Sequence, residues 1–290
     1  MTINIVDYLQ LMRAPAVFTA LSNIVAAQLI VTEGQIDWEI ILLLGVSSMC
    51  LYISGMILND CFDYQEDLRD RPERPLPSGR IPLKFGWQLG WTFLFIGLGV
   101  AVMVGLQQLL IAGFLSVLIV FYNAVAKKQL YGFLIMGGCR YCNWLLGLST
   151  MELQWGSFIL AIPIFIYVSS LTLLSTIETT ASNKKFIVHC GIGMLACALV
   201  IFYLQRHSPY ANIISLLALV VGFWLVLKRL YTAYQKFSVM EIQQTIKYLV
   251  IGVIPLDALV VLSAAASWYS VTVLSLMIPG WFFARSLRVT

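Results

Sequence analysis

Charge is what this sequence has least of. Asp, Glu, Lys and Arg make up 11% of its 290 residues, against about 25% in soluble domains. Thirty-two charged side chains cannot cover a water-facing surface of this size, and with 60% hydrophobic residues and a mean hydropathy of +0.87 the composition excludes a soluble globular domain. It equally excludes disorder, collagen and a coiled coil. The six cysteines, at 50, 61, 139, 142, 190 and 197, sit almost entirely in apolar runs, so no secreted disulfide framework is indicated. Cys139 and Cys142 have redox or zinc spacing but no second pair and no neighbouring His, which leaves them structural. The two histidines, His189 and His207, have no ligand-like company. No cleavable leader is expected, because the first twelve residues are polar and mixed in charge and run straight into an apolar stretch.

What is present is a succession of long apolar runs. A helix needs about 20 residues to cross about 30 Å of hydrocarbon, and runs of that order fall near 14–31, 39–58, 85–105, 109–126, 132–151, 157–177, 187–204, 211–227 and 246–268. A shorter run, 271–284, closes the chain. The expected fold is all-α: a polytopic membrane helix bundle of nine core helices and a short tenth. No intervening stretch is long enough for a soluble domain, so residues 1–290 are read as one membrane domain. Placing the N-terminus, the loops after even-numbered spans and the C-terminus on one side gathers 16 of the 18 Lys and Arg residues there, among them Arg285 and Arg288. Arg206 lies opposite and Arg140 within the fifth span. By the positive-inside rule that side is cytoplasmic, in the plasma membrane. The +4 net charge then reflects topology and possible ligand binding, and needs no nucleic acid.

The loop after the second span carries most of the chemistry. In Asn59-Asp60-Cys61-Phe62-Asp63-Tyr64-Gln65-Glu66-Asp67, Asn59, Asp63 and Asp67 share one helical face, with Asp60 beside them. Like charges at that spacing repel, and each acid near hydrocarbon costs up to about 3 kcal/mol on insertion scales. A cationic occupant resolves both costs. Carboxylates plus an amide suit a hard divalent ion, most simply Mg²⁺; the alternative is a solvated loop balanced by its own arginines. Glu66 and Asp70 fall off this face and are assigned to solvent or to Arg69 and Arg71. Beyond them, Arg74-Pro75-Leu76-Pro77-Ser78-Gly79-Arg80 follows a stiff, non-helical path whose guanidinium groups suit a phosphate.

Asn-Asp-x-x-Asp-x-x-x-Asp followed by Arg-Pro-Leu-Pro-Ser-Gly resembles the first signature of the UbiA superfamily of intramembrane prenyltransferases. Arg13 and Pro15 at the first span, and Tyr122-Asn123-Ala124-Val125-Ala126-Lys127 after the fourth, extend the likeness. The run Met136-Gly137-Gly138-Cys139-Arg140-Tyr141-Cys142-Asn143 is nearest to the EboC-like branch. The resemblance implies a central cavity with two acidic motifs at its cytoplasmic mouth. It also implies Mg²⁺ held by Asn59, Asp60, Asp63, Asp67 and Glu178, clamping an isoprenyl diphosphate that Arg13, Arg74, Tyr122 and Lys127 help to bind. Asp63, Asp67 and Lys127 would carry the catalysis, and a lipophilic, often aromatic, acceptor would receive the prenyl group. The pattern departs from the family after the sixth span. Glu178 stands for the first acid of the second motif, but the position four later is Ser182. A non-catalytic carrier of a diphosphate-bearing or prenylated lipid is therefore the competing reading. An ion-coupled transporter would need mid-membrane acids in inverted repeats, and the Asp-Gly…Ala-Arg signature of CDP-alcohol phosphotransferases is missing.

Lys127 and Lys128 are either topology-setting charges or diphosphate contacts, the family match favouring Lys127. Arg140 and Asp257 lie deep in apolar sequence, about 12 and 16 Å from the cytoplasmic ends of their spans. Both enter from the same side, so they are expected to form a buried pair or to join Asn143 in a polar wall of the acceptor pocket. A helix-to-helix lock is the plainer alternative. Asn23 either points into the cavity or bonds between helices. Pro255 is expected to open the helix beside Asp257.

Overall fold

The computed structural model describes residues 5–287, with side chains through residue 282. Arg288 lies outside the described residues, as does the side chain of Arg285. In chain order the helices are α1 (Ile5–Leu11), α2 (Ala14–Val31), α3 (Trp38–Phe62), α4 (Tyr64–Asp70), α5 (Leu83–Val104), α6 (Leu106–Ala124), α7 (Gly132–Leu148) and α8 (Trp155–Leu160). They continue with α9 (Ile162–Ser175), α10 (Lys185–Arg206), α11 (Ile213–Lys236), α12 (Val239–Ile251), α13 (Val253–Ala264), α14 (Tyr269–Ser275) and α15 (Met277–Leu287). No strand occurs among the described residues.

Among the described residues, eight helical segments are long and apolar enough to cross a membrane: α2, α3, α5, α6, α8 with α9, α10, α11, and α12 with α13. The expected fifth span is the 17-residue α7, which packs against α2, α6 and α9 inside the bundle. The expected tenth, Tyr269–Phe282, is a shorter apolar stretch. Two boundaries move outward: the eighth span runs on to Lys236 and the ninth starts at Val239. Both added turns are polar on one face, which a search for apolar runs passes over.

Three helix breaks share one cause. Proline has no N–H to donate to the carbonyl four residues earlier, and Pro163, Pro255 and Pro279 stand just beyond the α8–α9, α12–α13 and α14–α15 breaks. Pro255 thus opens the helix at Gly252, and the Tyr167 hydroxyl donates to the nearby Leu249 carbonyl at 2.9 Å. On α5, glycine permits close approach: a Cβ at Gly90 would meet Leu58, and one at Gly97 would meet Leu51 and the Ser47 carbonyl, so α5 lies tightly along α3. The outer faces of α5, α6, α10 and α11 expose Phe95, Phe114, Leu199 and Trp224, an apolar girdle suited to lipid.

Four local features build the mouth of the bundle. Asp63 is a single non-helical step between α3 and α4, but its N–H still reaches the Asn59 carbonyl (3.0 Å) and its carbonyl receives Asp67 N–H (2.9 Å), so the four-residue phase survives the step. Arg13 joins α1 to α2 with left-handed backbone angles of 49° and 49°. Residues 71–82 fold back through their prolines and bury Leu76 and Ile81 against Leu11, Ile57 and Cys61. After α6, a 3-10 turn over Ala126–Lys128 presents Lys127.

Candidate functional site

Asn59, Asp60, Asp63 and Asp67 are all buried at this mouth, and each acid meets a cation from a different segment. Arg13 approaches Asp60 at 3.3 Å. Arg74 reaches both Asp67 at 2.8 Å and Asp60 at 3.4 Å. Lys127 pairs with Asp63 and donates to the Asn59 amide oxygen at 3.3 Å. A left-handed arginine costs of order 1 kcal/mol or more, and at residue 13 it is the conformation in which the guanidinium meets Asp60. Asn59 is fixed by Asn123, whose side-chain oxygen accepts from the Asn59 amide at 3.0 Å and whose own amide donates to the Gly55 carbonyl at 3.1 Å. Tyr122, buried on α6, lies within the fields of Asp63 and Arg13.

Burial pushes the Asp67 carboxyl above the usual carboxylate range; Asp60 and Asp63 add to the effect and Arg74 opposes it. Glu66 sits outside this cluster. It pairs with Lys128 at 3.2 Å rather than with the arginines of its own loop, and the Lys128 hydrogen bond holds its carboxyl low. The two lysines therefore separate: Lys127 joins the buried acids and Lys128 the exposed one.

The donor set is all oxygen and suits a hard divalent ion. Among the described residues, however, no three acids, cysteines or histidines gather around a single point; the carboxylates are turned to their Arg and Lys partners. That Arg74 spans Asp60 and Asp67 shows that those two can share one cation. The residues fit Mg²⁺ by chemistry and proximity. Glu178 is half-buried in the loop after α9, and its charge acts on Arg13, which puts it on the same side of the bundle as Asp60. Ser182 is exposed, one residue past a left-handed Ala181 (φ 45°).

Deeper in the bundle lies a second polar cluster. Asp257 is fully buried and accepts from Ser22 at 2.5 Å, from the Asn23 amide at 2.8 and 3.0 Å, and from the Trp144 indole at 2.9 Å. The expected direct pairing with Arg140 is absent. Asn23 stands between them: its amide nitrogen serves Asp257 and its oxygen accepts from Arg140 at 3.4 Å and from Asn143 at 3.2 Å. Arg140 also donates to Thr19 at 2.8 Å and lies 5.0 Å over the Tyr52 ring. Asn143 accepts from Ser48 at 2.6 Å and donates to the Ala20 carbonyl at 3.0 Å. Residues from α2, α3, α7 and α13 thus form one network, and Asn23 is its interhelical hinge.

Several participants escaped the sequence reading. Thr19, one turn before Asn23, and Ser22, next to it, are polar residues in an apolar helix, a readable signal; Asn123 sat inside the run carrying Tyr122 and Lys127. Nothing in the sequence singles out Trp144. An apolar groove of about 650 Å³ opens between α6, α7 and the α8–α9 segment, lined by Phe114, Leu118, Gly138, Tyr141, Leu145 and Phe165 among others. It borders the face of α7 opposite Arg140 and Trp144, so it is distinct from both polar clusters.

Residues 20–236 match the UbiA prenyltransferase family. Digeranylgeranylglyceryl phosphate synthase from Methanosphaera stadtmanae is 26% identical over 266 residues, covering 85% of this chain and 95% of that protein. A solved chain from a study of digeranylgeranylglyceryl phosphate synthase in membranes superposes with a TM-score of 0.67 at 20% identity, over 89% of this chain and 97% of that one. A UbiA homologue from Archaeoglobus fulgidus, bound to GPP and Mg²⁺, superposes with a TM-score of 0.55 at 14% identity, over 93% and 99% of the two chains. The likeness to these structures extends over almost the whole bundle.

Proposed function

Because this chain belongs to the UbiA prenyltransferase family, we propose that it transfers a prenyl group from an isoprenyl diphosphate to a lipophilic acceptor within the membrane, using Mg²⁺. The observation that carries this reading is the mouth itself, where three buried carboxylates and three cations from separate segments converge. A structural ion-pair cluster needs no such concentration at the rim of an apolar bundle, whereas a diphosphate with its counter-ions needs both signs of charge together. In this reading the membrane is the plasma membrane and the mouth faces the cytoplasm, an orientation that the lysine and arginine asymmetry supports.

Asn59, Asp60, Asp63 and Asp67, with Glu178 across the mouth, would hold Mg²⁺, which when bound neutralises diphosphate charge and stabilises it as a leaving group. Arg13, Arg74 and Lys127 contribute donors to the diphosphate oxygens, and Arg74 suits bidentate contact. Tyr122 borders the same space. The allylic carbon–oxygen bond breaks with its electron pair going to diphosphate, and the acceptor's nucleophilic atom forms the new bond to carbon and gives up its proton. The apolar bundle keeps water from the cation, and the positioned charges do most of the catalytic work.

One feature favours a carrier instead: the loop after α9 offers Glu178 alone, with Ser182 exposed. The two readings separate in an assay of purified protein with labelled isoprenyl diphosphates and acceptors, aromatic and glyceryl phosphate types included, with and without Mg²⁺. Mg²⁺-dependent turnover that Asp63→Ala reduces about a hundredfold or more supports the enzyme. Tight Mg²⁺-dependent binding without turnover across the panel supports the carrier.

A further inference from the structure

Lys184 stands where local rules disfavour it. It is the N-cap of α10, beside the unpaired N–H groups and positive dipole end of that helix, and its side chain makes no cap there. Among the described residues it meets no carboxylate. Its ammonium instead lies 4.8 Å from the centre of the Tyr234 ring and 5.3 Å from that of Phe237. A lysine anywhere in this loop satisfies the charge asymmetry across the membrane; the two rings single out position 184.

The segments that meet at Lys184 both carry backbone strain. Phe237 ends α11 in the left-handed region, at φ 32° and ψ 66°, a position that glycine fills at no steric cost. The strained residue keeps its ring at Lys184. The corner behind it is well tied: Glu241 pairs with Arg229 at 2.9 Å and with Lys236 at 3.0 Å, and its N–H donates to Ser238. On the other side, Ala181 is also left-handed, with φ 45°, and it packs against the same apolar core as Phe237. Glu178, three residues before Ala181, is bonded to α9 through the Ser175 carbonyl, and Asn183 accepts from the Lys185 N–H at 2.9 Å. The Glu178 loop is thus held at its near end by α9 and at its far end by Lys184.

We propose that Lys184 is a positioning residue for the Mg²⁺ site: clamped by Tyr234 and Phe237, it ties the Glu178 loop to the α11–α12 corner. This inference rests on the prenyltransferase reading and says how one acid serves where the resemblance leads one to expect two. A lone ligand on a slack loop spends much of its binding energy on ordering that loop, whereas a ligand on a fixed loop does not. Lys184 itself touches neither the metal nor the diphosphate.

The test uses the purified full chain in nanodiscs and two measurements: hydrogen exchange of residues 178–183 without metal, and Mg²⁺ affinity by calorimetry with geranyl diphosphate present. Lys184→Met is expected to speed the exchange by about three- to tenfold and to weaken Mg²⁺ binding by a similar factor. Tyr234→Leu and Phe237→Leu, which keep apolar bulk without a π face, do the same in smaller measure. Lys184→Arg, which also stacks on rings, keeps wild-type values. Lys185→Met removes the same charge from the same helix end and changes either reading less than about twofold. A lysine acting through Glu178 leaves a further signature: Glu178→Gln weakens Mg²⁺ binding, and Lys184→Met then adds almost nothing to that loss. A Mg²⁺-binding wild-type protein in which Lys184→Met leaves exchange and affinity unchanged overturns the proposal, as does an equal loss with and without Glu178. Failure of wild-type protein to bind Mg²⁺ and geranyl diphosphate strikes the prenyltransferase reading instead, and faster exchange in the Lys184→Met protein then identifies the tether without its metal.

Discussion

Asp63, at the step that ends apolar α3, and Asp257, within apolar α13, are both buried carboxylates, but the protein treats them in opposite ways. Asp63 and its neighbours at the mouth are neutralised by long, flexible Arg and Lys side chains, themselves 22–38% exposed. Asp257 is satisfied by Ser, Asn and Trp side chains that are fully buried. A carboxylate held by mobile cations can trade them for another cation at small cost, since charge is conserved in the exchange. A carboxylate held by rigid neutral donors inside the bundle cannot, because any withdrawn donor leaves a buried polar group unpaired. The first arrangement suits turnover of ligands and the second suits holding a geometry.

The contrast can be broken most directly by parallel substitutions. Asp63→Ala should remove prenyl transfer and Mg²⁺-dependent diphosphate binding while changing thermal stability little. Asp257→Ala should lower stability by about 3 kcal/mol or more, seen as a large fall in apparent Tm, because it orphans three buried donors. If Asp63→Ala proves the more destabilising of the two, the mouth is a structural cluster and the distinction fails. The two lysines give a smaller and cleaner comparison. Lys127→Met should weaken geranyl diphosphate binding by about tenfold or more, since Lys127 joins the buried acids. Lys128→Met, which releases only the exposed Glu66, should shift binding less than about twofold.

Two further measurements sharpen the account of the mouth. Ser182→Asp supplies a second acid four residues after Glu178 and should raise Mg²⁺ affinity severalfold by calorimetry; no change means that position 182 does not face the site. The smallest effect concerns pH. Burial raises the folded-state carboxyl of Asp67, so the native protein holds a proton there more readily than the unfolded chain. Its contribution to stability is therefore favourable at low pH and lost as pH rises through the raised value. A cation must displace that proton, so Mg²⁺ affinity should rise as pH climbs through the raised carboxyl range of Asp67. Asp67→Asn should flatten the slope.

Hydropathy located the helices well, because lipid demands runs of a fixed length whatever packs against them. It placed α2 at its observed bounds of residues 14–31, and it missed the beginning of α12, where Glu241, Gln243 and Gln244 interrupt the apolar pattern. The acid face was legible for a similar reason: Asn59, Asp63 and Asp67 lie within nine residues, and local helical phase survived the step at Asp63. Lys127 stood out only through its family resemblance, and its separation from Lys128 needed the 3-10 turn. Arg140 and Asp257 do not pair directly; they join Asn143 in one polar network through Asn23, the second of the two arrangements expected for them. Depth counting brought the two to similar levels, but level says nothing about which residue stands between them.

The sequence by itself determined a multi-pass helical bundle and the grouping of acids and arginines in one loop, because both follow from short-range rules: hydrocarbon thickness and the four-residue helical repeat. Only the tertiary structure decided that Arg13 reaches Asp60 across 47 positions and that Asn23 links Asp257, 234 residues away, to Arg140. Such partnerships depend on which helix faces which. Similar apolar helices advertise no preferred neighbour until buried polar groups must be satisfied together.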